Sequence, residues 1–238
     1  MKRLIYFSFN MLLVSCTDTL IGDDGKLDED IYLNYQTKTD LELPIDGEWY
    51  VTAGGRTHIE GRHHFITHGT GQRYAYDIFK LVDDSAYSGD GGTNEDTFTF
   101  GATVNAPGSG KIIAVENNIE DNSKPGIVNS DINSSNIAGN YITIDHLNGE
   151  YSFLAHFKQG SIIVSVGDMV TKGQEVGKAG NSGNSSGPHL HYHMQNTPDY
   201  LNGLGLPAQF KNYYENNVLR EKGEPVRGQK INKIKTER

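Results

Sequence analysis

Cysteine is almost absent from this chain of 238 residues, where Cys16 stands alone. One cysteine can neither close an intrachain disulfide nor build a thiolate cage around a metal. Positive charge is scarce as well. Lys and Arg number 21 against 30 Asp and Glu, the formal net charge is −9, and the Lys/Arg-rich stretch is confined to the short C-terminus. That balance leaves no electrostatic footprint for nucleic acid. No apolar run reaches the ~20 residues of a membrane-spanning helix. The acidic stretch from Asp83 to Asp96 lacks the spacing of an EF-hand loop and reads as solvated.

What the chain does have is glycine, at 28 residues, and tyrosine, at 13, with abundant Asn, Thr and Ser. These favour strands and turns over long helices, so the composition predicts a mainly β domain. Short strands are expected at residues 49–51, 74–79, 111–115 and 162–166. The clearest hairpin runs along residues 141–147, turns at Asn148-Gly149 in a type I′ geometry and returns along residues 151–157. Strict alternation on the return strand groups Ser152, Leu154 and His156 on one face and Tyr151, Phe153, Ala155 and Phe157 on the other. Residues 117–140 are expected to lie over the surface, and Gly180 to Gly187 to form a flexible rim. Residues 222–238, charged, are expected to fray.

The chemistry gathers around Gly187-Pro188-His189-Leu190-His191-Tyr192-His193. On an extended strand His189, His191 and His193 share one face, while Leu190, Tyr192 and Met194 pack on the other. Neutral imidazole is the commonest protein metal ligand, so the stretch predicts the edge of a metal site. His193 is left without a role, as a solvated strand residue. Upstream, Asp77 sits inside the apolar run Tyr74-Ala75-Tyr76-Asp77-Ile78-Phe79, and His58, His63, His64 and His68 precede it. A carboxylate in such a strand needs a partner, and a bound cation would satisfy it.

The N-terminus has its own pattern. Met1-Lys2-Arg3, a short apolar stretch over residues 4–14 and Leu13-Val14-Ser15-Cys16 resemble the signal peptide and lipobox of bacterial lipoproteins. The resemblance implies cleavage after residue 15, lipidation of Cys16 and a membrane anchor that does not cross the bilayer. Residues 16–45 then read as an acidic tether, 46–198 as the domain and 199–238 as a C-terminal extension. The expected location is the cell envelope, facing the periplasm or the exterior.

Over residues 49–198 the chain resembles the lysostaphin-type, or LytM-like, zinc metallopeptidases of bacterial peptidoglycan. The resemblance rests on Asp77, on Tyr151-Ser152-Phe153-Leu154-Ala155-His156, on Val166-Gly167-Asp168 through Gly173-Gln174-Glu175-Val176-Gly177, and on His189-Leu190-His191. It implies an antiparallel β-sheet groove of the LytM/lysostaphin, duplicated hybrid motif-like, type. It also implies a Zn2+ ion on Asp77 and His191, with His156 and His189 as catalytic histidines. The family places its remaining ligand histidine four residues before the Asp, where this chain has Arg73. His64 therefore ranks first for that role and His68 second, while His58 and His63 are expected to be structural or at the surface. Two imidazoles and one carboxylate leave a coordination position for water, as catalytic rather than structural zinc sites do. The activity implied is hydrolysis of peptidoglycan peptides without a covalent intermediate. The competing expectation is a non-catalytic cell-wall-binding or amidase-regulating module.

Overall fold

A computed structural model describes residues 35–56 and 71–234. Among them the chain forms strands and no helix: β1 (Glu48–Ala53), β2 (Tyr76–Lys80), β3 (Thr103–Asn105), β4 (Gly110–Glu116), β5 (Asn140–Asp145), β6 (Tyr151–Phe157), β7 (Met169–Val170), β8 (Glu175–Lys178), β9 (Leu190–Gln195), β10 (Gly205–Leu206), β11 (Phe210–Glu215), β12 (Val218–Gly223) and β13 (Lys230–Lys233). The main sheet runs β12-β11-β13-β1-β2-β9-β6-β5-β4-β7, with β10 beside the far end of β9. Every neighbouring pair in it is antiparallel, so the mainly β, antiparallel fold expected from the sequence is the fold observed. β3 and β8 make a separate two-stranded sheet.

Alternation gives the main sheet one dry face. Leu190, Tyr192 and Met194 of β9, Leu154 of β6, Ile142 and Ile144 of β5, Tyr76 and Ile78 of β2, and Trp49 and Val51 of β1 join one buried cluster. Val104 and Val176 of the small sheet close over it, as do Leu41, Leu43 and Ile45. Those last three residues, at the end of the segment read as a tether, are core. Their segment is clamped by Glu150, whose carboxylate accepts from Tyr35 Oη (2.6 Å) and from the Lys38 and Thr39 N–H groups (2.8 Å each).

Three local expectations are corrected. The 141–157 hairpin has no type I′ turn: β5 ends at Asp145, β6 begins at Tyr151, and positive φ falls on Leu147 (61°) and Gly149 (84°), not on Asn148. A type I′ turn needs positive φ at both central residues. The connection is longer because Glu150 is drawn inward by residues 35–39, and His146 is drawn to the Ser109 carbonyl (2.8 Å) and Ser152 Oγ (2.7 Å). Residues 162–166 form no strand, although the Ile163 N–H reaches the Val176 carbonyl (3.1 Å). Residues 222–234, expected to fray, instead supply β13, which pairs with both β1 and β11 and buries Ile231. Ile231 turning to the core while its strand neighbours Lys230 and Asn232 turn the other way is what lets so charged a stretch join a sheet.

Candidate metal and catalytic site

The opposite face of the sheet carries the polar residues. β2 and β9 pair so that Asp77 lies directly across from His191, and β6 and β9 pair so that Ala155 faces His191 and Phe153 faces His193. Asp77 and His191 are buried, and Asp77 Oδ1 stands 2.9 Å from His191 Nδ1. His189, at the mouth of β9, places its Nε2 3.6 Å from the same carboxylate oxygen. The expected residues Asp77, His156, His189 and His191 are thus brought together. His64 and His68 lie outside the described residues, as do His58, His63 and Cys16. Among the described residues alone, no three His, Cys, Asp or Glu side chains form a metal-holding group.

His193 departs from expectation. It is fully buried on a central strand, donating to Gln195 and stacked at a tilt on Phe153 with ring centroids 4.9 Å apart. Its surroundings set the tautomer of His191, as assigned from the hydrogen-bond network. Gln195 Nε2 donates to the Thr197 carbonyl (2.7 Å), so Gln195 Oε1 is the atom turned to His193 Nε2 (3.0 Å), and that nitrogen carries the proton. With that nitrogen carrying the only ring proton, His193 accepts at Nδ1 from His191 Nε2–H (2.9 Å). With a single proton on its ring, at Nε2, His191 turns its Nδ1 lone pair to the Asp77 carboxylate. Two lone pairs at that separation repel unless a proton or a metal cation lies against both. The donor set therefore fits a metal ion, with the His193–Gln195 chain holding the ligand ring from behind.

His156 reaches the site by breaking alternation. Across β5 and β6, Asn140 pairs with Phe157 and Tyr141 with Ala155, which leaves His156 as an extra residue in a bulge. Its φ is +64°, a left-handed conformation that histidine tolerates better than most residues do. The expected grouping of His156 with Leu154 is thereby overturned. Phe157 joins Leu154 in the core, while the His156 ring lies 4.7 Å from that of His189 and 5.9 Å from that of His191. Burial, reinforced by the neighbouring histidines, holds the His156 pKa well below the ordinary histidine value. The ring is neutral at pH 7, donating from Nδ1 to the Ser182 carbonyl (2.8 Å).

His189 is held similarly, its Nδ1 within 2.9 Å of the Gly187 carbonyl and 3.1 Å of Ser185 Oγ. The 180–187 loop is accordingly no flexible rim, for Asn181, Ser182 and Ser185 are fully buried. Gly183-Asn184-Ser185-Ser186-Gly187 spells Gly-x-Ser-x-Gly, a pattern that elsewhere carries a serine nucleophile on a strand-to-helix turn. Here no helix follows, and the Ser185 hydroxyl donates to the Gly187 carbonyl (2.9 Å). Beside the loop opens a polar cavity of about 390 Å³, walled by Asn118, Glu120, Asn129, Asp131 and Gly183.

Residues 95–203, a little under half of the chain, match the family model of Peptidase family M23, which supports an M23 domain here. The matched stretch contains His156, His189 and His191 and begins after Asp77. Two curated relatives share shorter stretches with this chain. An uncharacterized metalloprotease of Buchnera aphidicola subsp. Baizongia pistaciae is 46% identical over 57 residues, 24% of this chain and 15% of that protein. The peptidoglycan DD-endopeptidase ShyA of Vibrio cholerae is 42% identical over 57 residues, 24% of this chain and 13% of that protein. Among solved structures, a zinc containing peptidase from Vibrio cholerae aligns at 22% identity and a TM-score of 0.41, covering 71% of this chain and 41% of that one.

Proposed function

We propose that this chain is a zinc-dependent endopeptidase that hydrolyses cross-links or stem peptides of bacterial peptidoglycan. The observation that carries the reading is the pairing of Asp77 Oδ1 with His191 Nδ1 across β2 and β9, with His189 and His156 grouped around it. The M23 match and the DD-endopeptidase relative support the reaction class. Asp77 and His191 would hold the zinc, with His64 or His68 as the further ligand. Bound zinc would supply Lewis-acid polarisation of a scissile carbonyl and a water acidic enough to act near neutral pH.

The protein's own part is orientation and proton handling. His156, and His189 beside it, direct Nδ1 to backbone carbonyls of the 180–187 loop, which leaves Nε2 as the nitrogen that exchanges protons. A neutral imidazole accepts a proton from an attacking water. Once charged, it hydrogen-bonds the developing oxyanion or protonates the leaving amine. Cys16 would carry a lipid that anchors the protein in the cell envelope, facing the periplasm or the exterior, at the end of an acidic N-terminal segment.

The test is to incubate the chain with purified peptidoglycan, with and without a chelator, and to identify released fragments by mass spectrometry. New peptide ends that disappear with chelator, return with zinc and are lost in His189→Ala are expected. Peptidoglycan left intact by a zinc-loaded sample would instead assign a cell-wall-binding or amidase-regulating role.

A further inference from the structure

Both candidate catalytic rings are aimed by acceptors from one loop, and three carbonyls of that loop are gathered by one side chain outside it. Elsewhere on the loop Asp121 accepts the Asn181 N–H (2.7 Å), and Ser182 Oγ accepts the Asn140 N–H and donates to the Phe157 carbonyl. Asn122, fully buried in the segment joining β4 to β5, donates from Nδ2 to three carbonyls of the 180–187 loop: Asn181 (2.7 Å), Gly183 (3.0 Å) and Ser185 (2.8 Å). Its backbone N–H also donates to the Asn181 carbonyl (3.0 Å), and its Oδ1 accepts the Asn129 N–H (2.8 Å). Asn94 braces the arrangement, donating from Nδ2 to the Asn122 carbonyl (2.7 Å) and accepting at Oδ1 from Asn181 Nδ2 (2.9 Å).

The carbonyls gathered by Asn122 alternate along residues 181–185, so the loop curls around the amide. The groups that fix the rings lie on this curl or beside it. The Ser182 carbonyl takes His156 Nδ1–H, and the Ser185 hydroxyl and Gly187 carbonyl take His189 Nδ1. We propose that Asn122 is a positioning residue that aims His156 and His189 together. Asp77 and His191 hang on the register of β2 and β9 and do not depend on it. Only a donor can face three carbonyls: a carboxylate of the same shape would set oxygen against oxygen. The activity consequence rests on the endopeptidase reading, whereas the aim of the rings does not.

The experiment compares the full chain with Asn122→Asp and Asn94→Ala. Folding is followed by thermal unfolding, zinc content is measured, kcat and KM are determined on peptidoglycan fragments, and the imidazole Nδ1–H resonances are recorded. For Asn122→Asp we expect zinc content as in the parent, kcat lower by about 10²-fold with KM within about threefold, and the Nδ1–H resonances of His156 and His189 shifted or lost; small misplacements of reacting groups have costs of this order. Asn94→Ala should show the same signature, about tenfold in kcat. A folded Asn122→Asp chain with parental kcat and resonances overturns the proposal, as does one that loses zinc together with activity. If Asn122→Asp does not fold, Asn94→Ala decides by the same criteria. If the parent chain hydrolyses no peptidoglycan, the endopeptidase reading fails and the resonances alone decide whether Asn122 aims the rings.

Discussion

The two halves of the candidate site are built by different means. Asp77 and His191 stand on paired strands, and their meeting is a matter of register. His156 hangs from a bulge with a left-handed backbone, and His189 sits where a loop enters β9, both held by carbonyls of residues 180–187. The difference is between bringing groups together and aiming them. Regular alternation suffices for two ligands that need only lie across from each other. Rings that must present one chosen nitrogen require an irregular backbone and acceptors from elsewhere in the chain.

Breaking the register half should have the largest effect. His191→Ala should lose zinc, measured as metal content after dialysis, and with it activity by more than ~100-fold, since even residues behind a ligand can be worth that much. His156→Ala, in the aimed half, should keep zinc while kcat falls by about 10²–10³-fold, the usual size of losing one transition-state hydrogen-bonding group. Loss of zinc in His156→Ala would merge the two halves into one.

A change outside both halves should leave zinc and kcat alone. Burial would raise the Glu150 pKa, but hydrogen bonds from Lys38, Thr39 and Tyr35 outweigh it and hold the carboxyl below its ordinary value of 4.5. The folded state therefore binds fewer protons than the unfolded one, so this contribution is complete above the ordinary value and is lost as pH falls through the depressed one. Glu150→Gln should cost about 1–3 kcal/mol at pH 7. The gap to the parent chain, followed by thermal unfolding across a pH series, should close in acid.

Much of the register half was legible in the sequence. A period of two put His191 and His193 opposite Leu190, Tyr192 and Met194, and a lone acid in an apolar run marked Asp77. The aimed half was legible as residue types but not as geometry. Alternation assigned His156 to the core face because nothing in Leu154-Ala155-His156-Phe157 announces a bulge. Asn122 and the 180–187 loop were hidden for a related reason, since Asn, Ser and Gly runs look solvated until a buried amide collects their carbonyls. His193 was missed because its partner, Gln195, lies on the same strand and gains meaning only once Thr197 fixes the amide.

The place of β13 bears on how the sheet is completed during synthesis. This strand is the thirteenth in sequence yet sits between β11 and β1, so Lys230–Lys233 must arrive before β1 has its outer neighbour. A ribosome adding about 5–20 residues per second would take several seconds between finishing β9 and finishing β13. Throughout that interval Asp77, His156, His189 and His191 already exist, and β1, the neighbour of Asp77's strand, is an open edge that could template pairing with another chain. Nascent molecules are thus most exposed to mispairing after their histidines are made and before Ile231 is in place.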